Sequence, residues 1–196
     1  LREYREYERT NTTCLNTALM PLLTDYHEKL ATNLKSLKIS SPFYIMRSSG
    51  GLAQAEEISK QPITAALSGP AAGVIAATHF GVLAEMPNLI CFDVGGTSAD
   101  ICLVEQGKPR MLTEGRVDIY DVKTPMIDIH AVGAGGGSIA WLAGGRSLKV
   151  GPDSAGSSPG PACYGKGGTE PTVTDANMVL GRLTSGLVGG DLALDP

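Results

Sequence analysis

The feature that most constrains the fold is a short apolar run that leads directly into a pair of glycines. Leu89–Phe92 has the length and composition of a buried strand. It is followed by Asp93, then Val94, and then the pair Gly95 and Gly96. Apolar residues resume at Ile101–Val104, so the glycine pair lies between two strands. Because glycine adopts backbone conformations that other residues avoid, this pattern predicts a tight β-hairpin.

The turn of this hairpin has residues suited to binding phosphate. Two consecutive glycines, Gly95 and Gly96, allow backbone N–H groups to approach an anion closely. Thr97 adds a hydroxyl and an amide at the same place, and Asp93 can hold the water shell of Mg²⁺, which prefers carboxylates and retained waters. The turn is therefore a candidate phosphate clamp. The alternative is an ordinary tight turn beside an aspartate.

Helical and extended patterns alternate along the rest of the chain. Apolar residues at steps of three and four between Leu15 and Leu37 predict an amphipathic helix within the leading segment 1–40. Pro21 predicts either a kink in this helix or a helix start close to it. The further predicted elements are strands at 42–46, 63–67, 110–113, 117–122 and 126–129, and helices at 53–60, 68–80 and 139–142. This order is typical of a mixed α/β domain.

A stretch rich in Gly, Pro and Ser lies at 151–171, where these types make up 13 of the 21 residues. Loops this long in compact domains are usually functional or disordered. Lys166 does not create a P-loop, because Gly167 replaces the required hydroxyl residue and no apolar strand precedes it. A last helix is predicted beyond the loop, capped by Thr174 or Asp175. Four of its residues are predicted to face a core: Met178, Val179, Leu180 and Leu183.

A second candidate site precedes another glycine cluster. If Asp128 and His130 lie on one strand, their side chains point to the same side and can converge on one ion or substrate. Backbone N–H groups at the start of the predicted 139–142 helix form an anion-binding arrangement. These N–H groups belong to Gly135, Gly136, Gly137 and Ser138. The alternatives are strand-end caps for the Asp and His and a plain turn for the glycines, and two ligands are too few to define a metal site.

Composition excludes several classes of protein. Apolar residues make up 42% of the 196 residues and charged residues 18%, which is typical of a folded globular protein. The formal net charge of −4 gives no electrostatic reason to expect nucleic-acid or anionic-membrane binding. No uninterrupted apolar stretch is long enough to span a bilayer.

The ends and the cysteines indicate origin and compartment. The chain starts at Leu1 without an initiator Met or the apolar core of a signal peptide, so we expect a fragment of a longer polypeptide. The cysteines are far apart and form no CxxC pair. They are Cys14, Cys91, Cys102 and Cys163. This spacing favours reduced thiols of a cytoplasmic protein over a disulfide framework or a zinc site.

Five segments of the chain, taken together, form a recognisable pattern. They are residues 46–51 (MRSSGG), 67–74 (LSGPAAGV), 92–100 (FDVGGTSAD), 128–140 (DIHAVGAGGGSIA) and 151–183. In this order the segments resemble the hydantoinase A/5-oxoprolinase/acetone carboxylase family over nearly the whole chain. Ala99 and Ala131 stand where Thr is common in that family, and neither change removes a group with a predicted role.

This resemblance implies the fold of the sugar kinase/actin/heat-shock chaperone ATPases, in which two lobes each present an Asp-x-Gly-type hairpin to ATP. Residues 1–196 are then expected to be a single hydantoinase A-type fragment, the second lobe. The fold class implied is α/β, of actin-like (ribonuclease H-like) architecture with a mixed sheet flanked by helices. The implied Mg²⁺ site is Asp93 with Asp100. The implied ATP contacts are Gly95, Gly96, Thr97, Ser98, Gly135, Gly136, Gly137 and Ser138.

The resemblance also implies an ATP-dependent enzyme. It opens a cyclic amide of the hydantoin or 5-oxoproline type by phosphorylating the carbonyl oxygen, with Asp128 and His130 as catalytic residues and a second divalent metal near them. The implied partner is a hydantoinase B-type subunit or domain, and the 151–171 loop packs over the site. Alone, this chain is expected to bind ATP weakly and turn nothing over. The alternatives are an ATP-dependent ketone carboxylase subunit, a non-catalytic actin-like ATP switch and a small-molecule kinase.

Overall fold

The computed structural model describes residues 4–184, 186–187 and 192–195. It contains both helices and strands, which confirms the mixed α/β class. Two compact units are present. The first comprises Leu1–Cys91 and Cys102–Ile129, and the second comprises Phe92–Ile101 and His130–Pro196. A single domain over 1–196 stays a prediction.

The described elements have the following bounds. The α-helices are α1 (Glu6–Ser36), α2 (Ala55–Lys60), α3 (Ser68–Leu83) and α4 (Val173–Val179). The strands are β1 (Tyr44–Met46), β2 (Leu52–Gln54), β3 (Leu89–Val94), β4 (Ala99–Glu105), β5 (Lys108–Pro109), β6 (Met111–Leu112), β7 (Gly115–Val117), β8 (Tyr120–Val122), β9 (Met126–Ile127), β10 (His130–Val132), β11 (Ser138–Ala143), β12 (Ser147–Ser154), β13 (Gly186–Leu187) and β14 (Leu192–Ala193). Two 3₁₀ turns lie at Pro62–Ala65 and Ala162–Tyr164.

The first unit has two apolar clusters. One joins α3 to β3, β4 and β9 through Ala71, Val74, Cys91, Cys102, Val104 and Ile127. The other is built on Ile63, Val122 and Met126, against which Leu15 and Leu19 of α1 pack. The predicted helix is therefore confirmed as α1, but only part of its apolar face is covered, since Leu22 and Tyr26 are 66% and 55% exposed. It runs through Pro21, so a helix start near that proline is wrong.

Two predicted strands of the first unit are wrong. The predicted strand at 63–67 is instead a 3₁₀ turn, Pro62–Ala65, whose proline at the first position fixes φ near the helical value. The predicted strand at 117–122 is the hairpin of β7 and β8, in which Val117 pairs with Tyr120. Asp118 in its turn has φ +54°, a conformation that Asp tolerates better than most residues.

The second unit begins with the end of β3 and the start of β4. A sheet of order β10-β4-β3, with β5 also on β4, includes these strands. β10 runs antiparallel to β4, with Ala131 opposite Asp100. β11 and β12 form a separate antiparallel pair, with Trp141 opposite Lys149.

The predicted helix at 139–142 is wrong, because these residues belong to β11. Gly144 and Gly145, at φ +57° and +74°, close the hairpin between β11 and β12. A Gly-Gly pair between two apolar runs is a hairpin signal. The three to four residues after Gly137 were too few to separate helix from strand by periodicity.

The last predicted helix is confirmed as α4, but its cap and orientation differ from the prediction. Thr172, rather than Thr174 or Asp175, is the N-cap, and it forms a capping box with Asp175. Val179 and Leu180 are 77% and 63% exposed, so the prediction that they face a core is wrong.

No helix among the described residues combines the length and the apolarity that a membrane span requires. The four cysteines lie among the described residues and form no disulfide bond, and Cys14 is exposed while the other three are buried. A cytoplasmic location stays a prediction.

Candidate functional site

The glycine pair forms the turn between β3 and β4, as the sequence predicts. β3 ends at Val94, β4 begins at Ala99, and the two strands are neighbours in the sheet. Four connecting residues are too few for a parallel crossover, so the strands run antiparallel. One hydrogen bond closes the turn, from Gly95 N–H to Ser98 O at 2.8 Å. We call residues 95–98 the hairpin turn.

The hairpin turn carries donors that the described protein groups do not use. The N–H groups of Gly96, Thr97 and Ser98 donate to no acceptor within the described residues. Gly96 and Thr97 are exposed, and a Cβ placed on Gly96 would have no atom within 4 Å. Successive N–H groups at a turn form an anion-binding concavity, so the residues fit a phosphate group.

A second glycine-rich segment, residues 133–137, forms backbone hydrogen bonds with the hairpin turn. Gly136 N–H donates to Gly95 O at 3.0 Å, and Gly137 N–H donates to Gly96 O at 2.6 Å. In a trans peptide the C=O and N–H groups point in opposite directions. The carbonyls of Gly95 and Gly96 therefore point toward the second segment, and the N–H groups of Gly96 and Thr97 point away from it.

The predicted anion site at Gly135–Ser138 lacks its physical basis. Gly135 N–H donates to Ser138 Oγ at 2.8 Å, and Ser138 N–H donates to Gly135 O at 3.1 Å. The N–H groups of Gly136 and Gly137 are bound to the hairpin turn. All four amides have protein acceptors, and a strand rather than a helix follows them. The helix-terminus argument is therefore wrong.

Close backbone contact explains why residues 135–137 are glycines. A Cβ on Gly135 would lie 2.7 Å from Gly95 O, and one on Gly137 would lie 2.9 Å from Gly96 O. Both distances are shorter than side chains tolerate. These glycines therefore allow two backbone segments to touch, which the sequence pattern did not distinguish from close approach to a ligand.

α4 contacts the second glycine segment through Thr174. Its N–H and its Oγ1 both donate to Gly136 O, each at 2.8 Å. Thr174 is 8% exposed. Sequence reasoning placed it at the helix cap and missed this contact. The Thr172-x-x-Asp175 capping-box pattern would have placed Thr174 inside the first turn.

Asp175 joins the start of α4 to the glycine- and proline-rich segment. Its carboxylate accepts hydrogen bonds from Thr172 N–H, Thr172 Oγ1 and Cys163 N–H, each at 2.8 Å. Burial raises the pKa of Asp175, but the hydrogen bonds from Cys163 and Thr172 outweigh it, and the pKa is lowered from 3.8.

The 151–171 segment is less irregular than its composition indicates. Its first residues belong to β12, and a 3₁₀ turn spans Ala162–Tyr164. Ala155 N–H donates to Gly137 O at 2.8 Å. Burial, followed by the hydrogen bond with Asp175, raises the pKa of Cys163 to about 11, so at neutral pH this thiol is protonated and a poor nucleophile.

The predicted magnesium ligands lie on the two strands of the hairpin. Asp93 is exposed near the end of β3, and Asp100 is half-buried near the start of β4. Within residues 4–184 and the other described ranges, no three His, Cys, Asp or Glu side chains come together as a metal site.

Asp128 and His130 are not on one strand. β9 ends at Ile127 and β10 begins at His130, so the same-face argument is wrong. The Asp128 carboxylate is 13% exposed and lies 3.2 Å from Arg110 Nε, while its N–H donates to Arg110 O at 2.9 Å. His130 is exposed and stands opposite Ile101 on β4.

The chain is similar to known proteins over almost its whole length. The family described as Hydantoinase/oxoprolinase matches residues 9–196. Caprolactamase subunit alpha of Pseudomonas jessenii is 43% identical over 198 residues, which are 98% of this chain and 28% of that protein. 5-oxoprolinase PfmaA of Pestalotiopsis fici is 42% identical over 177 residues, which are 89% of this chain and 13% of that protein.

Two solved structures share the fold. One is the nucleotide-free structure of acetone carboxylase, from work on the mechanism of ATP-dependent acetone carboxylation. Its TM-score is 0.81 at 32% identity, and the match covers 98% of this chain and 27% of the acetone carboxylase chain. The ATP-dependent caprolactamase of Pseudomonas jessenii gives 0.78 at 42% identity, covering 98% and 28%. The chain thus spans less than a third of the relatives and structures that it matches.

Proposed function

Because the chain belongs to the hydantoinase/oxoprolinase family, we propose that it forms one ATP-phosphate grip of an ATP-dependent enzyme that opens a cyclic amide. The observation that supports this grip is the hairpin turn, where the N–H groups of Gly96 and Thr97 point away from the segment that binds the carbonyls of Gly95 and Gly96. Fixed donors of this kind stabilise phosphate charge without having to reorganise.

Each residue of the turn has a separate task in the proposal. Gly96, Thr97 and Ser98 offer their N–H groups, and Thr97 and Ser98 their hydroxyls, to phosphate oxygens. Gly95 contributes shape rather than a donor, because its N–H is bound to Ser98 O. The exposed carboxylate of Asp93, with Asp100 nearby, would hold Mg²⁺ through the water shell of the ion.

Bound ATP supplies a phosphoryl group to the amide oxygen and leaves as ADP, which makes the amide carbon a stronger electrophile. Water then adds to that carbon, the C–N bond of the ring breaks as the nitrogen takes up a proton, and a second water releases phosphate from the acyl phosphate. In this proposal residues 135–138 support the turn, and any contact that they make with ATP is through groups other than their N–H groups. Asp128 and His130 remain proposed catalytic residues for the steps after phosphoryl transfer, and a second divalent cation near them would need ligands from outside the described residues. The 151–171 segment is retained as a cover of the site.

Gly96→Ala tests the phosphate grip in the complete protein. The new methyl meets no protein atom within 4 Å, so the fold stays intact while the methyl obstructs an anion that approaches the turn. We expect ATP affinity, measured by titration calorimetry, to fall by roughly tenfold or more, since a charge-assisted hydrogen bond is worth about 1.5–3 kcal/mol. The matched control is Gly51→Ala, which also meets nothing within 4 Å. Equal ATP affinity in Gly96→Ala and wild type would refute the grip.

The reaction is tested by a substrate panel with coupled detection of ADP. Hydantoin, 5-oxoproline and caprolactam represent cyclic amides, and acetone with bicarbonate represents the ketone carboxylases. The likeness to acetone carboxylase favours carboxylation as the second candidate. A ring-opened amino acid supports the proposal, a carboxylated ketone supports the alternative, and a stable phosphorylated product in the phosphorus NMR spectrum indicates a kinase. ATP binding without any turnover across the panel indicates a switch.

The proposed catalytic pair and partner have their own tests. Asp128→Asn and His130→Asn should abolish turnover while ATP affinity is kept, and unchanged turnover removes these residues from the mechanism. Because the caprolactamase relative is a subunit alpha, we propose a hydantoinase B-type partner. Co-expression with the neighbouring gene product, followed by size-exclusion chromatography, checks whether the two proteins form a complex.

A further inference from the structure

Thr174 stands at the far end of a short chain of hydrogen bonds that ends at the hairpin turn. Its Oγ1 and its N–H donate to the carbonyl of the Gly136–Gly137 peptide. The N–H of that same peptide donates to Gly96 O at 2.6 Å. The Gly96–Thr97 peptide then ends in Thr97 N–H, one of the proposed phosphate donors.

Two rigid peptide planes make up this chain. Because each peptide group is planar and trans, an acceptor bond on its carbonyl fixes the direction of its N–H. Thr174 therefore sets the direction of Gly137 N–H, which sets the direction of Thr97 N–H. Consecutive hydrogen bonds also polarise one another, by about 10–30% per bond. The two hydrogen bonds that Gly136 O accepts therefore strengthen the donors that follow.

The contacts along the chain leave little room for adjustment. A Cβ on Gly136 would lie 2.8 Å from Thr174 Oγ1, and one on Gly137 would lie 2.9 Å from Gly96 O. Backbone meets backbone or a buried hydroxyl, so a displacement of Gly136 is not absorbed by a flexible side chain. It is transmitted to Gly96 instead.

Thr174 itself is held on its helical side. Thr172 and Asp175 form the capping box of α4, and Asp175 also accepts from Cys163 N–H. The capping box fixes the first turn of α4, in which the Thr174 side chain is almost fully buried. The hydroxyl thus has one fixed direction toward Gly136.

We propose that Thr174 is a positioning residue for the phosphate grip, which acts through the Gly136–Gly137 and Gly96–Thr97 peptides and touches no substrate. This inference rests on the proposed function, since it assigns a role in the same site. It predicts that removal of one hydroxyl weakens binding of phosphate at a turn that this hydroxyl does not contact.

The test compares three variants of the complete protein. Thr174→Val removes the hydroxyl at nearly constant volume, and Thr174→Ser keeps it. The matched control is Thr78→Val in α3, where the lost hydroxyl also donates to a backbone carbonyl at 2.8 Å, that of Val74. We expect a roughly fivefold weaker ATP affinity in Thr174→Val, because a neutral hydrogen bond contributes about 1 kcal/mol. We expect a change of less than about twofold in Thr174→Ser.

Two further readouts separate positioning from a general loss of stability. Hydrogen exchange of peptides that cover residues 93–98 should be faster in Thr174→Val than in Thr78→Val at matched losses of melting temperature. In a double-mutant cycle, Thr174→Val should have little further effect on ATP affinity once Gly96→Ala is present, since both act at one turn.

The outcomes for the two proposals are distinct. Failure of the wild type to bind ATP, or full affinity in Gly96→Ala, overturns the phosphate grip itself. If those two tests succeed and Thr174→Val binds ATP as tightly as Thr78→Val, the positioning role is overturned. A loss in Thr174→Ser as large as in Thr174→Val also overturns it, because the hydroxyl is then irrelevant.

Discussion

Gly135→Ala gives a quantitative test of the contact between the two glycine segments. The added Cβ would lie 2.7 Å from Gly95 O and 2.8 Å from both the carbonyl carbon and the oxygen of Gly96, whereas ordinary contact begins at 3.4 Å. The hairpin turn must therefore move by about 0.7 Å. All three atoms are backbone, so a side-chain rotation cannot relieve the overlap. Overpacking of this kind costs about 1–3 kcal/mol.

Gly133→Ala is the matched control for this variant. Its Cβ would lie 3.7 Å from Pro152 Cβ, an ordinary contact, and it is two residues away in the same segment. Both changes reduce the entropy of the unfolded chain by similar amounts, so the difference between the variants isolates the overlap. For a folding unit of about 150–250 residues, a loss of about 2 kcal/mol corresponds to a melting temperature roughly 4–8 °C lower for Gly135→Ala than for Gly133→Ala.

The same displacement predicts a loss of ATP affinity. The overlap pushes the turn away from residues 133–137, which is the direction in which the N–H groups of Gly96 and Thr97 point. A phosphate that other groups of the complete protein also hold then meets these donors too closely, since an N–H···O bond needs about 2.7–3.2 Å. Loss of one charge-assisted bond, worth about 1.5–3 kcal/mol, predicts weakening by at least about tenfold in titration calorimetry of the complete protein. If Gly135→Ala matches Gly133→Ala in melting temperature and in ATP affinity, the described contact and its role are wrong.

Three further predictions concern groups around the site and the core. Asp175→Asn should destabilise the protein by about 1 kcal/mol at pH 7 as a lost cap; because the pKa of Asp175 is lowered from 3.8, the wild-type advantage in urea unfolding is present above that pH and should shrink as the pH falls below it. Cys163, whose pKa is raised to about 11, should resist iodoacetamide at pH 8 while the exposed Cys14 reacts, and mass spectrometry showing equal labelling would contradict this. Ser48→Ala should cost about 1–3 kcal/mol in chemical unfolding, because the single O–H of this buried residue donates to the backbone carbonyls of Thr64 and Ala66, which both lie within hydrogen-bond distance. The exposed Ser36→Ala should cost less than about 0.5 kcal/mol.

The hairpin could be predicted from the sequence because its determinants are local. Leu89–Phe92 and Ile101–Val104 are apolar runs of strand length, and a glycine pair between them has few other structural uses. The amphipathic pattern from Leu15 to Leu37 was equally local and gave α1. The helix predicted at 139–142 failed for another reason. Ala140, Trp141 and Leu142 form a strand because they pair with Val150, Lys149 and Leu148, and no strand was predicted there.

The exposed residues of α4 have a similar explanation. Val179 and Leu180 follow the spacing of a buried helix face, yet they are mostly exposed in this chain. The periodicity of a helix indicates that one face is apolar, but it does not indicate which element covers that face. Thr174 could not be assigned from sequence for the same reason, since its partner Gly136 is 38 residues away.

The two glycine clusters look alike in sequence but act in opposite ways. Gly136 and Gly137 direct their N–H groups inward to the hairpin turn, and this contact directs the N–H groups of Gly96 and Thr97 outward. The N–H groups of Gly136 and Gly137 are thus used within the protein, and those of Gly96 and Thr97 stay available. Because protein groups alone fix this polarity, the proposed phosphate grip would have its donors in place before an anion binds. Replacement of Gly136 and Gly137 would leave the sequence of the hairpin turn unchanged, but the N–H groups of Gly96 and Thr97 would lose their fixed direction.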